Sequence, residues 1–311
     1  MNIPKKTYEY AFKGSGNLAY ILAMNSIARS LFIRIPPHTW FIGSAVFHYL
    51  GPSFAVLLFP AVGVLGVAWF RIATAALIFA PVTRPDRIWR RAGWPERRLL
   101  IALGVCLAVM NCSFYLALDR LPLSLVAAIE FVGTVGLALV GLRTWRNAIA
   151  LLLTVLGVLV LIDIRWSSDL VGLAWAFLNG ALFVLYIMLG HRAAAAGAGQ
   201  GIGRLGAAMA IAFVIVLPIG FAQAFAASAV PALLLAGIGV GICSSVIPYI
   251  CDQLAMARLP LASFAMMLAL LPATATVIGA VVLDQIPSAS DLVGIALVMG
   301  GVALHRTAAR G

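Results

Sequence analysis

The sequence predicts an all-α membrane protein with ten transmembrane helices arranged as two inverted five-helix repeats. Three observations carry this. Apolar residues make up 63% of the chain and charged residues 10%, against roughly 45–50% and about 25% in soluble domains. Apolar segments long enough to cross a hydrocarbon core of roughly 30 Å follow one another from Thr39 to the C-terminus. The tetrapeptide RLPL occurs at 120–123 and again at 258–261, each time leading into an apolar run. These runs are continuously apolar rather than alternating, which excludes a β-barrel.

Residues 1–37 form an extension of different character, with Lys5, Lys6 and Lys13 among Tyr, Asn and Ser. Its stretch 18–33 is broken by Asn25 and Arg29 and lacks an A-x-A-like exit, so a cytoplasmic or interfacial segment is expected rather than a cleaved signal peptide. Met24 is an alternative start. The spans then run approximately 39–59, 62–82, 99–118, 122–141, 147–164, 169–190, 205–225, 230–256, 260–283 and 289–305. Short connections such as "PAVGVLG", "RWSSDL" and "DQIPSASD" supply the Pro, Gly, Ser and Asp expected at helix ends.

Charge placement predicts the orientation. With the N-terminus inside, the inner segments hold 18 of the 21 Lys and Arg, including six in "RPDRIWRRAGWPERR" (84–98), Arg143, Arg146, Arg192, Arg204, Arg258, Arg306 and Arg310. The outer loops hold Arg120 and Arg165, and Arg71 lies within the second span. This positive-inside bias accounts for the formal charge of +11 and puts both termini in the cytoplasm, with no nucleic-acid partner needed. The loop 84–98 is explained by topology, with anionic headgroup contact as an addition.

Aligning Pro122 with Pro260 superposes "FYLALDRLPLS" on "DQLAMARLPLA" at an offset of 138. Downstream, "TVLGVLVL" (154–161) matches "LVMGGVAL" (297–304) after a five-residue slip. The expected units are 38–166 (spans one to five), 167–306 (spans six to ten) and a cytoplasmic tail, 307–311. Because five is odd, the second half inserts upside down, and such repeats place a substrate site near the bilayer midplane. The plain alternative is chance similarity between greasy segments.

Glu130, eight residues into its span, is the strongest candidate. A charge at that depth costs on the order of 3 kcal/mol even on insertion scales and usually faces a bundle interior or a wet cavity. It can exchange a proton or hold a substrate ammonium; a structural hydrogen bond to a neighbouring helix is the bland reading. Arg71 is either its static ion-pair partner or a fork for a substrate carboxylate, and the two together suit a zwitterion. Asn111 and Tyr115 share a helix face. Trp175, Asn179, Phe183 and Tyr186 form a polar-aromatic stripe; such stripes are more often packing than ligand contact, but Asn179 at mid-span tilts this one toward a cavity. Ser245, Tyr249 and Asp252 share a face, with Pro248 freeing a backbone carbonyl there. Asp252, nearer the inner end, reads as an interfacial carboxylate. His48, one turn past Ser44, reads more readily as a satisfied hydrogen-bonding residue than as a proton relay. Gly133, Gly136, Gly237 and Gly241 allow close helix packing. Cys106, Cys112, Cys243 and Cys251 all lie in apolar segments without a CxxC pair, so small-apolar packing is expected rather than disulfide or metal roles.

The stretches "LFPAVGVLGVAWFR" (58–71), "MNCSFYLAL" (110–118), "PLSLVAAIEFVG" (122–133) and "IPYICDQLAMARLP" (247–260) resemble the drug/metabolite transporter superfamily. The resemblance is to its ten-helix type with two EamA repeats, nearest the threonine/homoserine exporter branch, over roughly residues 40–305. It implies efflux of amino acids or related small metabolites across the bacterial inner membrane, driven by the proton gradient, and supports Arg71, Asn111, Tyr115 and Glu130 as motif positions. The chain departs from that branch at Thr134, where Pro is usual, and at Leu270, Leu271 and Pro272, where "MEP" is usual. Asp252 stands where Glu is common.

The leading expectation is therefore a secondary transporter with a small-molecule substrate, working in the lipid bilayer, with no cofactor and no metal. No dimer signature stands out, so a monomer is expected, with a homo-oligomer as the alternative. The rival is a membrane-embedded enzyme acting on lipid-linked substrates. That reading lacks an HExxH, a His/Asp cluster and an extramembrane loop long enough to shape a site.

Overall fold

The computed structural model describes residues 35–139, 145–163, 169–261, 264, 267, 268 and 270–304. The extension to residue 34, Arg143, Arg165 and the tail 307–311 lie outside the described residues. Those described are helical or in short connections, with no strand among them.

The helices are α1 (Pro37–Val62), α2 (Val64–Thr83), α3 (Pro85–Arg91), α4 (Trp94–Leu118), α5 (Leu123–Leu139), α6 (Trp145–Asp163), α7 (Leu170–Ala194), α8 (Ala198–Ser228), α9 (Pro231–Gly241), α10 (Ile247–Met256), α11 (Leu270–Leu283) and α12 (Ala289–Leu304). A π turn, Ile242–Val246, joins α9 to α10. By length and composition, α1, α2, α4, α7, α8 and the run Pro231–Met256 can each cross a membrane. These six make the chain a multi-pass membrane protein. Helices α5, α6, α11 and α12 contain shorter described apolar stretches at four of the expected crossings.

Helix boundaries follow local chemistry. A single residue, Gly63, separates α1 from α2; its φ of 82° suits a residue without Cβ. Asp169 caps α7 by accepting from the Gly172 N–H at 2.9 Å. Ser288 and Asp291 cap α12 reciprocally, the Asp291 N–H donating to Ser288 Oγ and the Ser288 N–H to Asp291 Oδ2. The expected loop 84–98 instead contains α3: Pro85 sits at its first turn with Asp86, while Arg90 and Arg91 close its last turn. Those positions complement the helix dipole, which a reading by charge alone overlooks. Helices α4 and α8 also begin earlier than the apolar runs predict, at Trp94 and Ala198. Pro95 in the first turn of α4 and Gly197 before α8 account for these earlier starts.

Helix α1 packs on α10 and α11, α2 on α8 and α9, and α4 on α7 and α8. Helix α5 packs on α7, α6 and α11, while α6 and α12 pair with each other. Close approach depends on small residues as expected. A Cβ on Gly133 would lie 2.7 Å from Val184, and one on Gly237 would lie 2.7 Å from the Phe70 ring. One on Gly241 would press on Thr74 at 2.5 Å. The surroundings of Gly136 lie outside what is described. One large core of buried side chains runs through most of these contacts and a small one gathers Ala92, Leu100 and Ala207, with Leu77, Val214 and Val281 on the outer surface.

Candidate functional site

Two buried acids occupy the interior. Glu130, on α5, is 2% exposed. Asn179 Nδ2 of α7 donates to its Oε1 at 2.6 Å, and Tyr49 OH of α1 donates to its Oε2 at 3.0 Å. Each oxygen is thus held from a different helix. Gly180 permits this, because a Cβ there would lie 3.2 Å from the Ile129 carbonyl of α5. Charge-assisted bonds of this kind are stronger than neutral ones.

Arg71 forms no ion pair with Glu130; the ion pairs among the described residues are Arg90–Asp86, Arg120–Asp169 and Arg204–Glu96. Arg71 is held by the π turn, Nε donating to Ser245 Oγ and Nη2 to the Ser244 carbonyl, both at 2.9 Å. Pro248 explains the second bond. It has no N–H for the carbonyl four residues back, so the Ser244 oxygen is left for the guanidinium. Tyr115 and Phe114 lie 5.3 and 5.6 Å from the Arg71 Cζ, within cation–π range. Gly51 brings the two acidic and basic centres near each other: a Cβ there would meet the Ser244 N at 2.6 Å, two residues from Tyr49.

The second acid, Asp252 on α10, is 4% exposed. Ser44 Oγ donates to its Oδ1 at 2.5 Å and Tyr186 OH to its Oδ2 at 3.0 Å. The expected interfacial carboxylate is therefore a buried, bonded one, because α1 and α7 close over it. Tyr249 exchanges bonds with Asn111 (Asn111 Nδ2 to Tyr249 OH, 3.2 Å), and its ring lies 5.4 Å from that of Tyr186.

The structure thus places the expected residues in three buried hydrogen-bonded sets, Glu130 with Asn179, Asp252 with Tyr186, and Asn111 with Tyr249, the last two joined by the Tyr186–Tyr249 ring contact, with Arg71 and Tyr115 beside them. Trp175 is only half-buried, at the packed margin rather than in these sets. His48 is held by its ring, 5.2 Å from Tyr49 and 5.5 Å from Phe183, instead of by the expected hydrogen bonds. Tyr49, Ser44 and Ser244 are functional candidates that the sequence reading passes over. Ser244 carried a usable signal, its position four residues before Pro248. Among the cysteines, Cys106 and Cys251 are buried and all four are free.

Two atoms at these buried sites stand out. Arg71 Nη1 and Asn179 Oδ1 are buried without a hydrogen-bond partner among the described residues. One is a charged donor and the other an acceptor beside a carboxylate. Trp69 Nε1 and Gln253 Oε1 are in the same state elsewhere in the core, and water or a solute can satisfy such groups.

No protein-family model matches the sequence. Curated relatives do. The threonine/homoserine exporter RhtA of Escherichia coli (strain K12) is 36% identical over 241 residues, covering 76% of this chain and 79% of that one. The chain belongs to the RhtA family of EamA-type drug/metabolite transporters. The threonine/homoserine exporter RhtA of Salmonella typhimurium (strain LT2) is 35% identical over 239 residues, with the same coverage of 76% and 79%. A solved crystal structure shares the fold at a TM-score of 0.57 and 20% identity, covering 86% of this chain and 96% of that one. Both relatives are named as exporters, so the chemistry to be explained is the movement of a solute.

Proposed function

We propose that this protein is a proton-coupled exporter of amino acids, threonine- or homoserine-like, in the bacterial inner membrane. It is built from ten crossings in two inverted halves, 38–166 and 167–306, with both termini cytoplasmic. The observation that carries the reading is the placement of Glu130, whose two oxygens are held by the first helix of each half: Tyr49 of α1 and Asn179 of α7. A carboxylate shared in this way lies where rocking halves must part.

Three features support the inverted threading. Ser44 precedes Tyr49 along α1, yet their counterparts across the two acids run Tyr186, then Asn179, in reverse order along α7. The two helices therefore run in opposite directions. Exchanging each span with the one five places on also maps the helix pairings onto themselves: α1 on α10 becomes α7 on α4, and α2 on α9 becomes α8 on α4. Finally, Asn111 and Tyr249 bond each other at a sequence separation of 138, the offset of the repeat itself. Equivalent residues that touch lie on a two-fold axis.

The RLPL repeat has a matching role. Arg120 Nη1 holds Asp169 at the start of α7, and Arg258 Nη1 holds the Ile35 carbonyl just before α1, both at 2.9 Å. Each arginine ties the end of one half's third crossing to the first helix of the other half.

The unpartnered atoms support a zwitterion as cargo. Arg71 Nη1 faces the substrate carboxylate; Asn179 Oδ1 and Glu130 face its ammonium. Asn111, Tyr115 and Tyr249 are buried beside these groups and are assigned to the same substrate site, with Trp175 at its margin. Protonation of Glu130 releases the ammonium and is linked to alternating access. The test is accumulation of labelled threonine or homoserine in proteoliposomes under an imposed pH gradient. Wild type accumulates substrate and Glu130→Gln loses proton coupling; undiminished coupling in Glu130→Gln removes Glu130 from the mechanism.

A further inference from the structure

Asp252 does a different job from Glu130, and its partners say which. Glu130 is bonded in part by an amide N–H, which can only donate. Asp252 is bonded solely by hydroxyls, from Ser44 and Tyr186. It forms no ion pair with Lys, Arg or His among the described residues. A hydroxyl donates to a carboxylate and, after rotating, accepts from a carboxylic acid. The cluster can therefore gain a proton without orphaning a group, because the Ser44 hydrogen turned away from Asp252 meets the Pro248 carbonyl at 3.3 Å; at Glu130 only the Tyr49 side can accept.

The groups facing Asp252 fit this. From α1 come Ser44 and, one turn on, His48, whose ring packs on Tyr49 and Phe183 instead. From α7 comes Tyr186, and on its own helix lie Tyr249 and Cys251. Cys106 of α4 is directed to the Leu182 carbonyl at 3.2 Å. Arg71 of α2 donates from Nε and Nη2 to the π turn, its Nη1 having no partner among the described residues. Two acids are thus stacked between the same two helices, five residues apart on α1 and seven on α7, on the order of 8–10 Å at about 1.5 Å per residue.

We propose that Asp252, Ser44 and Tyr186 form a second proton-binding site in series with Glu130, so that each transport cycle carries one proton more than Glu130 alone provides. This rests on the proton-coupled transport reading above. The experiment is a reversal-potential measurement of the proton-to-substrate ratio in proteoliposomes holding wild type, Asp252→Asn or Tyr186→Phe, with labelled threonine as probe. The ratio is expected to fall by one proton in Asp252→Asn while substrate still moves. In Tyr186→Phe, which keeps the carboxyl, the pH profile of threonine exchange is expected to be displaced. A coupled wild type whose ratio Asp252→Asn leaves unchanged overturns this inference alone, as does loss of substrate exchange with coupling in a folded Asp252→Asn protein. If Asp252→Asn does not fold, an unmoved pH profile in Tyr186→Phe overturns it. An uncoupled wild type overturns the transport reading and this inference with it.

Discussion

Tyr49→Phe is the sharpest perturbation of the site, since it deletes one oxygen and keeps the ring that packs 5.2 Å from His48. The oxygen lost is the donor to Glu130 Oε2 at 3.0 Å, in a fully buried position. A hydrogen bond to a charged group contributes about 1.5–3 kcal/mol, and one to a neutral group about 0.5–1.5 kcal/mol. With Glu130 ionised, Tyr49→Phe is expected to cost the larger amount. In a Glu130→Gln background the acceptor is neutral and the cost drops to the smaller one. The double-mutant cycle then leaves a coupling of about 1 kcal/mol or more. The assay is equilibrium unfolding of the four proteins in detergent at alkaline pH, where Glu130 is ionised. Equal costs of Tyr49→Phe in the two backgrounds would refute the argument that the hydroxyl serves a carboxylate.

Three further outcomes follow from the same geometry. Pro248→Ala restores an N–H that competes for the Ser244 carbonyl, so Arg71 loses a bond of about 1.5–3 kcal/mol, and threonine binding by thermal shift weakens at unchanged fold. Gly51→Ala drives a Cβ to 2.6 Å from the Ser244 N and should cost about 1–3 kcal/mol in stability. Gly239→Ala, with nothing within 4 Å, is its control and is expected to be neutral or slightly stabilising. Asp169 lies outside the membrane spans, and the Gly172 N–H and then Arg120 hold its carboxyl below the usual carboxylate range. Its contribution is therefore present above the unfolded value of about 3.9 and lost as pH falls through the lower folded value. The stability gap between wild type and Asp169→Asn should close on acidification along that limb; a gap independent of pH would contradict it.

Much of the fold is legible in the sequence because lipid demands long apolar runs, and nothing else produces them in series. Glu130 and Arg71 are legible for the same reason, as charges where charge is costly. The Arg71 anchor is half-legible: Pro248 announces a free carbonyl, but not which side chain takes it. The rest depends on what packs against what. Asp252 looks interfacial when residues are counted from RLPL, and only the closure of α1 and α7 over it makes it internal. Tyr49 and Ser44 sit in a run whose polar residues look alike one by one, and His48 between them draws attention by its chemistry while doing less. The helix α3 is hidden by its own arginines, which read as topology rather than as a dipole-matched helix end.

The account turns on Glu130 binding proton and substrate in turn at one place. A carbodiimide labels a carboxyl that is protonated in an apolar setting, and peptide mapping separates Glu130 from Asp252. The account predicts labelling at Glu130 that saturating threonine or homoserine suppresses in a dose-dependent way. Labelling at Glu130 that substrate leaves untouched, in protein shown to transport it, would contradict it.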